Sequence, residues 1–241
     1  MKILGIIPSR YGSSRFPGKP LVNIEGKPMI QRVYEQAKKC AALADVIVAT
    51  DDQRIADAVL NFGGKVIMTS EQHQNGTERC AEAVEKNEAA DAVINIQGDE
   101  PFIHPEQIDA VAQLLTDGAE IATLVKRLDK FKEYLSPNIV KVAVSAQSKA
   151  LFFSRSPLPF IRDEFTHDYF AQHVFHKHIG IYGYKTDVLK QLVQLPYSML
   201  EDAEKLEQLR WLDNGYTITV AETTHESIAI DVPSDLLKIG K

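Results

Sequence analysis

"ILGIIPSRYGSSRFPGKP", residues 3–20, begins as an apolar run and turns at Ser9 into a loop punctuated by Gly12, Pro17 and Gly18. An isoleucine-rich run bounded at once by turn residues reads as a strand buried on both faces, the kind a parallel sheet requires. The loop behind it carries Arg10, Arg15 and Lys19 in a chain whose formal net charge is -6. Cations so crowded repel one another unless something negative lies among them. Glycine lets backbone N–H groups approach a ligand closely, and Pro17 stiffens the turn. Flat guanidinium forks beside a mobile ammonium suit the oxygens of a triphosphate. This is not a Walker A loop, because Pro20 follows Lys19 where Ser or Thr is needed, and no G-x-G-x-x-G is present. The competing reading is a solvated basic turn.

The same alternation extends outward from that stretch. "KPMIQRVYEQAKKC" reads as a helix with Pro28 near its first turn, "DVIVAT" as a strand, and "DQRIADAVLNFGG" as a helix closed by Gly63 and Gly64. "KVIMTS", "DAVINIQ" and "EIATLVKR" follow as strands, separated by the helices "TERCAEAVEK" and "HPEQIDAVAQLL". Past residue 130 the regularity weakens. "NIVKVAVS", "ALFFSRS", "HIGIYGY" and "TITVAE" read as strands and "SMLEDAEKLEQLRWLDNGY" as one helix closed by Gly215. "PLPFIRDEFTHDYFAQHVFHK" shows no clear period and several aromatics. The expected fold is α/β: a mostly parallel sheet flanked by helices, with a smaller antiparallel insert in the second half. No linker, repeat or low-complexity tract divides it, so residues 1–241 are read as one domain.

Composition narrows the class. Hydrophobic residues make up 44% and charged residues 25%, the profile of a soluble globular protein. A chain of 241 residues buries a sizeable core without disulfide or metal staples. The mildly acidic balance argues against a nucleic-acid or anionic-membrane partner, so any anion site must be local. Cys40, at the end of a helix, and Cys80, inside one, match no zinc or redox spacing and are read as reduced thiols. The first apolar run is shorter than a signal-peptide core, and no segment has the length of a membrane span. A cytoplasmic chain without membrane insertion is expected.

In open parallel sheets ligands sit beyond the carboxyl ends of the strands, and the unusual loops all fall there. "NIQGDEPF" places Asp99 at that edge and "AIDVPSD" places Asp231, two hard oxygen donors that suit Mg²⁺. A lone Asp at such a point is otherwise a turn cap, and Asp235 reads as a helix-start residue after Pro233, with a metal role as the lesser alternative. In "HQNGTER", Asn75, Gly76 and Thr77 can contact a base or ribose, or Thr77 can cap the following helix. Arg79 reads equally as a surface residue or a ligand contact. His178 in a strand is ordinarily structural, and Glu207 on a helix ordinarily solvated. His173, His176 and His178 lie on an irregular stretch without matching Cys and do not read as a zinc site.

The stretches "IIPSRYGSSRFPGKPL", "VATDDQRI", "HQNGTERC", "INIQGDEPFI", "PNIVKV", "FFSRSPLPF", "HIGIYGY" and "LEQLRWLDNGY" together resemble the 3-deoxy-manno-octulosonate (Kdo) cytidylyltransferases, or CMP-Kdo synthetases. The likeness runs in order over nearly the whole chain. Its opening G-x-x-R-x-P-G-K is shared with sugar nucleotidyltransferases at large, whereas "QGDEP", "HIGIYGY" and "LEQLRWL" point to the Kdo branch. The resemblance implies a homodimeric, Mg²⁺-requiring enzyme of the α/β nucleotidyltransferase fold. It would transfer a cytidylyl group from CTP to Kdo, giving pyrophosphate and CMP-Kdo for lipopolysaccharide. It implies that Arg10, Arg15 and Lys19, with Ser9, Gly12, Asn75, Gly76, Thr77 and Arg79, hold the nucleotide. Asp99 and Asp231 would hold the metal, and Gln97, Arg155, His178, Tyr182 and Glu207 would line the sugar pocket. The chain departs from the family's Gly-Val-Asp-Thr-Pro-Glu-Asp in reading "AIDVPSD" over residues 229–235, with Ala229 in the glycine's place. Acceptors such as 8-amino-Kdo or another acidic 2-keto sugar are the alternative within this chemistry. A nucleotidyltransferase for a sugar phosphate and a non-catalytic CTP-binding module are the rivals outside it.

Overall fold

The computed structural model describes residues 1–12, 16–87, 90–162, 170, 172–226 and 229–238. The opening stretch forms β1 (Ile3–Ser9), as its apolar run requires. A small hairpin of β2 (Asn23–Ile24) and β3 (Lys27–Pro28) follows, so the helix read from Lys27 begins only at Met29. Then come α1 (Met29–Ala37), β4 (Asp45–Thr50), α2 (Gln53–Asn61), β5 (Val66–Met68), α3 (Gly76–Lys86), β6 (Ala92–Asn95) and α4 (Pro105–Thr116). The second half holds β7 (Ile121–Arg127), α5 (Phe131–Leu135), β8 (Lys141–Val144), β9 (Ala150–Ser154) and β10 (His176–Lys185). It ends with α6 (Thr186–Leu192), α7 (Met199–Glu204), α8 (Gln208–Asp213) and β11 (Ile218–Glu222).

The main sheet runs in the order β11-β7-β10-β6-β1-β4-β5. β1 pairs parallel with β4 and β6, β4 with β5, and β7 with β11. The long β10 runs antiparallel between β6 and β7 and carries the antiparallel β8 and β9 beside it. This mostly parallel sheet with an antiparallel portion in its second half is the expected class. Side chains alternate across it. Ile3 and Ile7 pack with α1, α2 and α4 on one face, while Leu4 and Ile6 pack with α3, α6 and α8 on the other. Burying each such side chain stabilises the fold by roughly 1.5–3 kcal/mol. The aromatics past residue 130 form a satellite cluster in which Leu128, Tyr134, Ile161, Phe170 and Phe175 are buried together.

Two expectations are corrected. The helix read over residues 198–216 is broken into α7 and α8, because Lys205 takes a left-handed φ of 52°. No glycine or proline marks the break. It coincides with tertiary demand, since the Glu204 carboxylate accepts from Ser154 Oγ at 2.6 Å and from the Arg155 N–H at 2.9 Å. Cys40 lies beyond the end of α1, in a turn where its N–H donates to the Ala37 carbonyl. Cys40 and Cys80 are both buried and unbridged, and burial beside Asp109 pushes the Cys40 thiol up to about 12. Among the described residues no helix is long and apolar enough to cross a membrane.

Candidate active site

Register brings the expected loops together. Ser9 pairs opposite Thr50 and Ile6 opposite Asn95, so β1, β4 and β6 end side by side and release their loops at one edge. A cavity of about 250 Å³ opens there. Ser9, Arg10, Lys19, Asn75, Gly76, Arg79, Gln97, Asp99 and Asp231 all line it. Close backbone packing makes the space: a Cβ on Gly98 would fall 3.0 Å from the Pro8 carbonyl oxygen. Gly18 sits at φ 71° with Tyr11 against it, and its N–H donates to the Tyr11 carbonyl at 3.0 Å, closing the basic loop. The hydroxyl of Ser9 is buried and finds no partner among the described residues, which leaves it available to a ligand.

Lys19 is the centre of the charged part. Its ammonium donates to Asp99 Oδ2 at 2.7 Å and to Asp231 Oδ1 at 3.4 Å, so two carboxylates from chain segments far apart converge on one cation. The Ile230 N–H donates to the Asp99 carbonyl at 2.9 Å, tying the carboxyl-terminal segment to the loop after β6. Ile230 itself is buried with Ile24 and Met29. Asp235 accepts from the N–H groups of Asp231 and Val232 at 2.9 and 3.0 Å, the capping role its place after Pro233 suggested. "AIDVPSD" therefore delivers Asp231 to the cavity with alanine at 229. Two hard carboxylates already gathered around a positive charge fit a divalent ion such as Mg²⁺ by the chemistry of their donor atoms.

The wall comes from the start of α3. Asn75 is its N-cap and accepts from the Glu78 N–H at 2.8 Å, so the cap is Asn75 and not Thr77. Arg79 is no surface residue. It is buried, donates to Thr69 Oγ1 at 2.5 Å, pairs with Asp51 at 2.9 Å, and lines the cavity from there. The anchor Asp51 was missed, although its stretch "VATDDQRI" follows β4 at this same edge. His73 and Gln74 also line the cavity; they stand in the quoted "HQNGTER" but drew no role there. Two members of the expected nucleotide set do not line it, and a third cannot be placed. Nothing would meet a Cβ placed on Gly12, which does not line the cavity. Thr77 is buried and turned away, donating to Glu207 Oε2 at 2.8 Å. Arg15 lies outside the described residues.

The expected sugar residues divide. Gln97 lines the cavity and donates through Nε2 to the Gly180 carbonyl at 3.0 Å, where β10 shifts register between Ile179 and Tyr182. His178, Tyr182 and Glu207 do not line the cavity; they lie apart from it, His178 and Glu207 half-buried. His178 packs edge-on against Phe153 with centroids 5.3 Å apart and beside Tyr182 at 5.1 Å, its Nε2 3.1 Å from Thr123 Oγ1. Burial drives the imidazole down to about 3, so the ring is neutral near pH 7. Burial likewise pushes Glu207 up to about 7, against the Thr77 hydroxyl and the Arg210 guanidinium, which favour its charged form. Tyr182 is buried on this side too. Arg155 lines no part of the cavity; its guanidinium donates to the carbonyls of Glu204 and Pro137 at 2.7 and 3.2 Å.

The comparisons with known proteins bear on this geometry. Residues 4–223 match the family described as cytidylyltransferase. The 3-deoxy-manno-octulosonate cytidylyltransferase of Parabacteroides distasonis is 54% identical, over 99% of this chain and 96% of that protein. Its namesake from Cytophaga hutchinsonii is 51% identical over the same shares of both chains. Among solved structures, CMP:2-keto-3-deoxy-manno-octonic acid synthetase complexed with CTP superposes with a TM-score of 0.92 and 45% identity, covering 99% of this chain and 97% of the other. A likeness of that extent, carried on a cavity built by the cytidylyltransferase motifs, places this chain in the cytidylyltransferase family.

Proposed function

We propose that this chain transfers a cytidylyl group from CTP to Kdo, giving CMP-Kdo and pyrophosphate. The observation that carries the reading is the meeting of Lys19, Asp99 and Asp231 in a cavity walled by Arg10 and Arg79 at the carboxyl edge of the sheet. The anomeric hydroxyl oxygen of Kdo bonds to the α-phosphorus in line as its proton is released to solvent, the bond from that phosphorus to the bridging oxygen breaks, and pyrophosphate leaves with the electron pair. No covalent nucleophile on the protein is required. Catalysis is then positioning together with electrostatic stabilisation of the phosphoryl oxygens and the leaving group.

Each residue does a separate part of that work. Arg10 and Lys19 neutralise the phosphate oxygens, and to Arg15, a third cation of the same stretch of sequence, we assign the same part. Asn75, Gly76 and Arg79 fix the nucleoside end, and the free Ser9 hydroxyl supplies a donor. Asp99 and Asp231 would hold Mg²⁺, which when bound polarises the phosphoryl oxygens as a Lewis acid. Gln97 links the nucleotide cavity to β10 through the Gly180 carbonyl, and to it, with the half-buried His178 and Glu207 and with Tyr182, we assign the acidic sugar. CTP is a nucleotide of the cytoplasm, and we place the reaction there, ahead of lipopolysaccharide assembly. A homodimer is also proposed; the exposed apolar side chains of Tyr197 and Met199 support an association surface, and sedimentation of the purified chain would test it.

Pyrophosphate release with CTP, Mg²⁺ and Kdo is the direct test. Parallel reactions with 8-amino-Kdo, N-acetylneuraminate and hexose 1-phosphates rank the acceptors. Release with Kdo well above every other acceptor is the expected result. Faster release with a hexose 1-phosphate would overturn the assignment of the sugar.

A further inference from the structure

The helix broken at Lys205 puts two carboxylates on one guanidinium. Glu201 stands in the first turn of α7, Glu207 at the N-cap of α8, and Arg210 one turn farther along α8. Arg210 is buried, with Glu201 Oε2 3.2 Å from its Nε and Glu207 Oε1 3.2 Å from its Nη2. Its Nη1 donates to the Leu195 carbonyl at 3.4 Å. Glu207 thus receives a single bond from it, not the paired fork by which Arg holds a carboxylate firmly ionised. One cation and two carboxylates leave a surplus negative charge when both acids are ionised, and burial makes that surplus costly. A single proton removes it. The side chain of Glu207 is 25% exposed against 8% for Glu201, so Glu207 is the member that a solute can meet.

We propose that Glu201 is a positioning residue for the acceptor: by dividing Arg210 it keeps a proton on Glu207, so that Glu207 meets an acidic sugar as a hydrogen-bond donor and not as a second anion. The proposal rests on the assignment of Glu207 to that sugar. An ionised Glu207 would repel the carboxylate of the acceptor, whereas the neutral acid donates to it. The neighbours of Glu207 come from four elements. Thr77, Glu78 and Cys80 belong to α3, Tyr182 and Tyr184 to β10, Glu201 to α7 and Arg210 to α8. Of these, the Thr77 hydroxyl and Arg210 favour the charged form, while Glu201 and Glu78 oppose it. Burial tips the balance, pushing Glu207 up to about 7 and Glu201 upward as well. Glu201 is therefore the acid whose charge the same guanidinium must also serve.

The test follows the carboxyl ¹³C resonance of Glu207 against pH by NMR on the full chain. In the wild type it should titrate at about pH 7. Glu201→Gln keeps the length, removes the rival charge and leaves Arg210 to Glu207 alone, so the midpoint should fall by about one pH unit. Glu201→Asp restores the charge and should return the midpoint toward the wild-type value. The second readout is KM for Kdo. At pH 7 it should rise roughly fivefold in Glu201→Gln, as the protonated fraction drops from about a half to about a tenth, with KM for CTP unchanged. Well below both midpoints the two proteins should agree, which a merely loosened fold would not allow. Circular dichroism reports folding. Should Glu201→Gln misfold, the wild-type chain decides: its Glu201 resonance should step at the pH where Glu207 loses its proton, because the two share one cation. A Glu207 midpoint unmoved in Glu201→Gln, or a Glu201 resonance indifferent to that pH, would overturn the proposal. A midpoint that falls while KM for Kdo stays put would uphold the coupling of Glu201 to Glu207 and overturn the placing of the sugar there.

Discussion

The two sides of this sheet edge handle charge in opposite ways. On the nucleotide side, cations and carboxylates lie in an open cavity and neutralise each other directly, Lys19 between Asp99 and Asp231 and Arg79 on Asp51. On the other side, His178 and Glu207 are half-buried, His178 against Phe153 and Tyr182, and burial sets their state: His178 down to about 3, Glu207 up to about 7. The first arrangement is suited to a highly charged ligand that brings its own anions. The second holds neutral hydrogen-bonding groups ready for a polyol, with no surplus of cations for a second phosphate. Two substrates of different charge can then share one edge without competing for the same groups.

The sharpest way to break that contrast is at Asp99. Asp99→Asn removes half of the carboxylate pair while keeping shape and one acceptor oxygen. Turnover should fall by ~10³-fold or more, in line with the loss of a preorganised electrostatic element at a phosphoryl centre. CTP should still bind measurably through Arg10, Asn75 and Arg79. Pyrophosphate release and CTP titration on the same preparation check both halves, and a near wild-type rate would remove Asp99 from the mechanism.

Next in size is the pH response of the half-buried side. The folded chain keeps a proton on Glu207 up to about pH 7, while the unfolded chain gives it up near 4.5, the ordinary value for a glutamate. The stability this group confers is therefore full below pH 4.5 and is lost as pH rises through 7. Glutamine does not titrate. Measured by urea unfolding, Glu207→Gln should gain ~2–3 kcal/mol relative to wild type between pH 4.5 and pH 8. A difference that stays flat over that range would mean the carboxylate is solvated, and the contrast between the two sides would collapse.

A smaller effect is expected at the cap of α3. Asn75→Ala loses the bond from the Glu78 N–H and should cost about 1 kcal/mol. For a domain of this size that lowers the thermal midpoint by about 2–4 °C. Because Gly76 and Arg79 ride on the same first turn, CTP affinity should fall as well, and Asn75→Asp, which keeps the capping oxygen, should restore both. Loss of the midpoint without loss of CTP affinity would separate the cap from the site.

How much of this was legible beforehand follows the same division. The strand–helix alternation, the loops at one edge and the pairing of Asp99 with Asp231 could be read, because each rests on local apolar pattern or on one topological rule. What could not be read depends on partners distant in the chain. Arg79 reads equally as a surface residue or a ligand contact until Asp51 and Thr69 are brought beneath it. The break at Lys205 has no local breaker and is explained only by where Glu204 and Glu207 must reach. Glu201 is unremarked in the sequence and meets Glu207 across Arg210 only in the fold. One miss was avoidable: Asn75 stands three residues before Glu78, a capping pattern, and that spacing favours Asn75 over Thr77 as the helix start.

The smallest effect tests how the basic loop is held. Arg54 lies flat over the ring of Tyr11, its guanidinium carbon 3.3 Å from the centroid, and Asp52 grips it from behind with bonds of 2.9 and 2.6 Å. Tyr11 in turn accepts the Gly18 N–H that closes the loop carrying Arg10 and Lys19. The stack is exposed, so Arg54→Ala should leave the thermal midpoint where it is. Its effect should appear only in CTP affinity, a loss of about two- to threefold, the range of an exposed cation–π contact. Arg54→Lys distinguishes the cause. If the flat stack pins Tyr11, lysine, which keeps the charge but not the plane, should lose about as much as alanine. If the positive charge alone matters, lysine should bind CTP like wild type, and the loop would be held by its own Tyr11–Gly18 closure without help from α2.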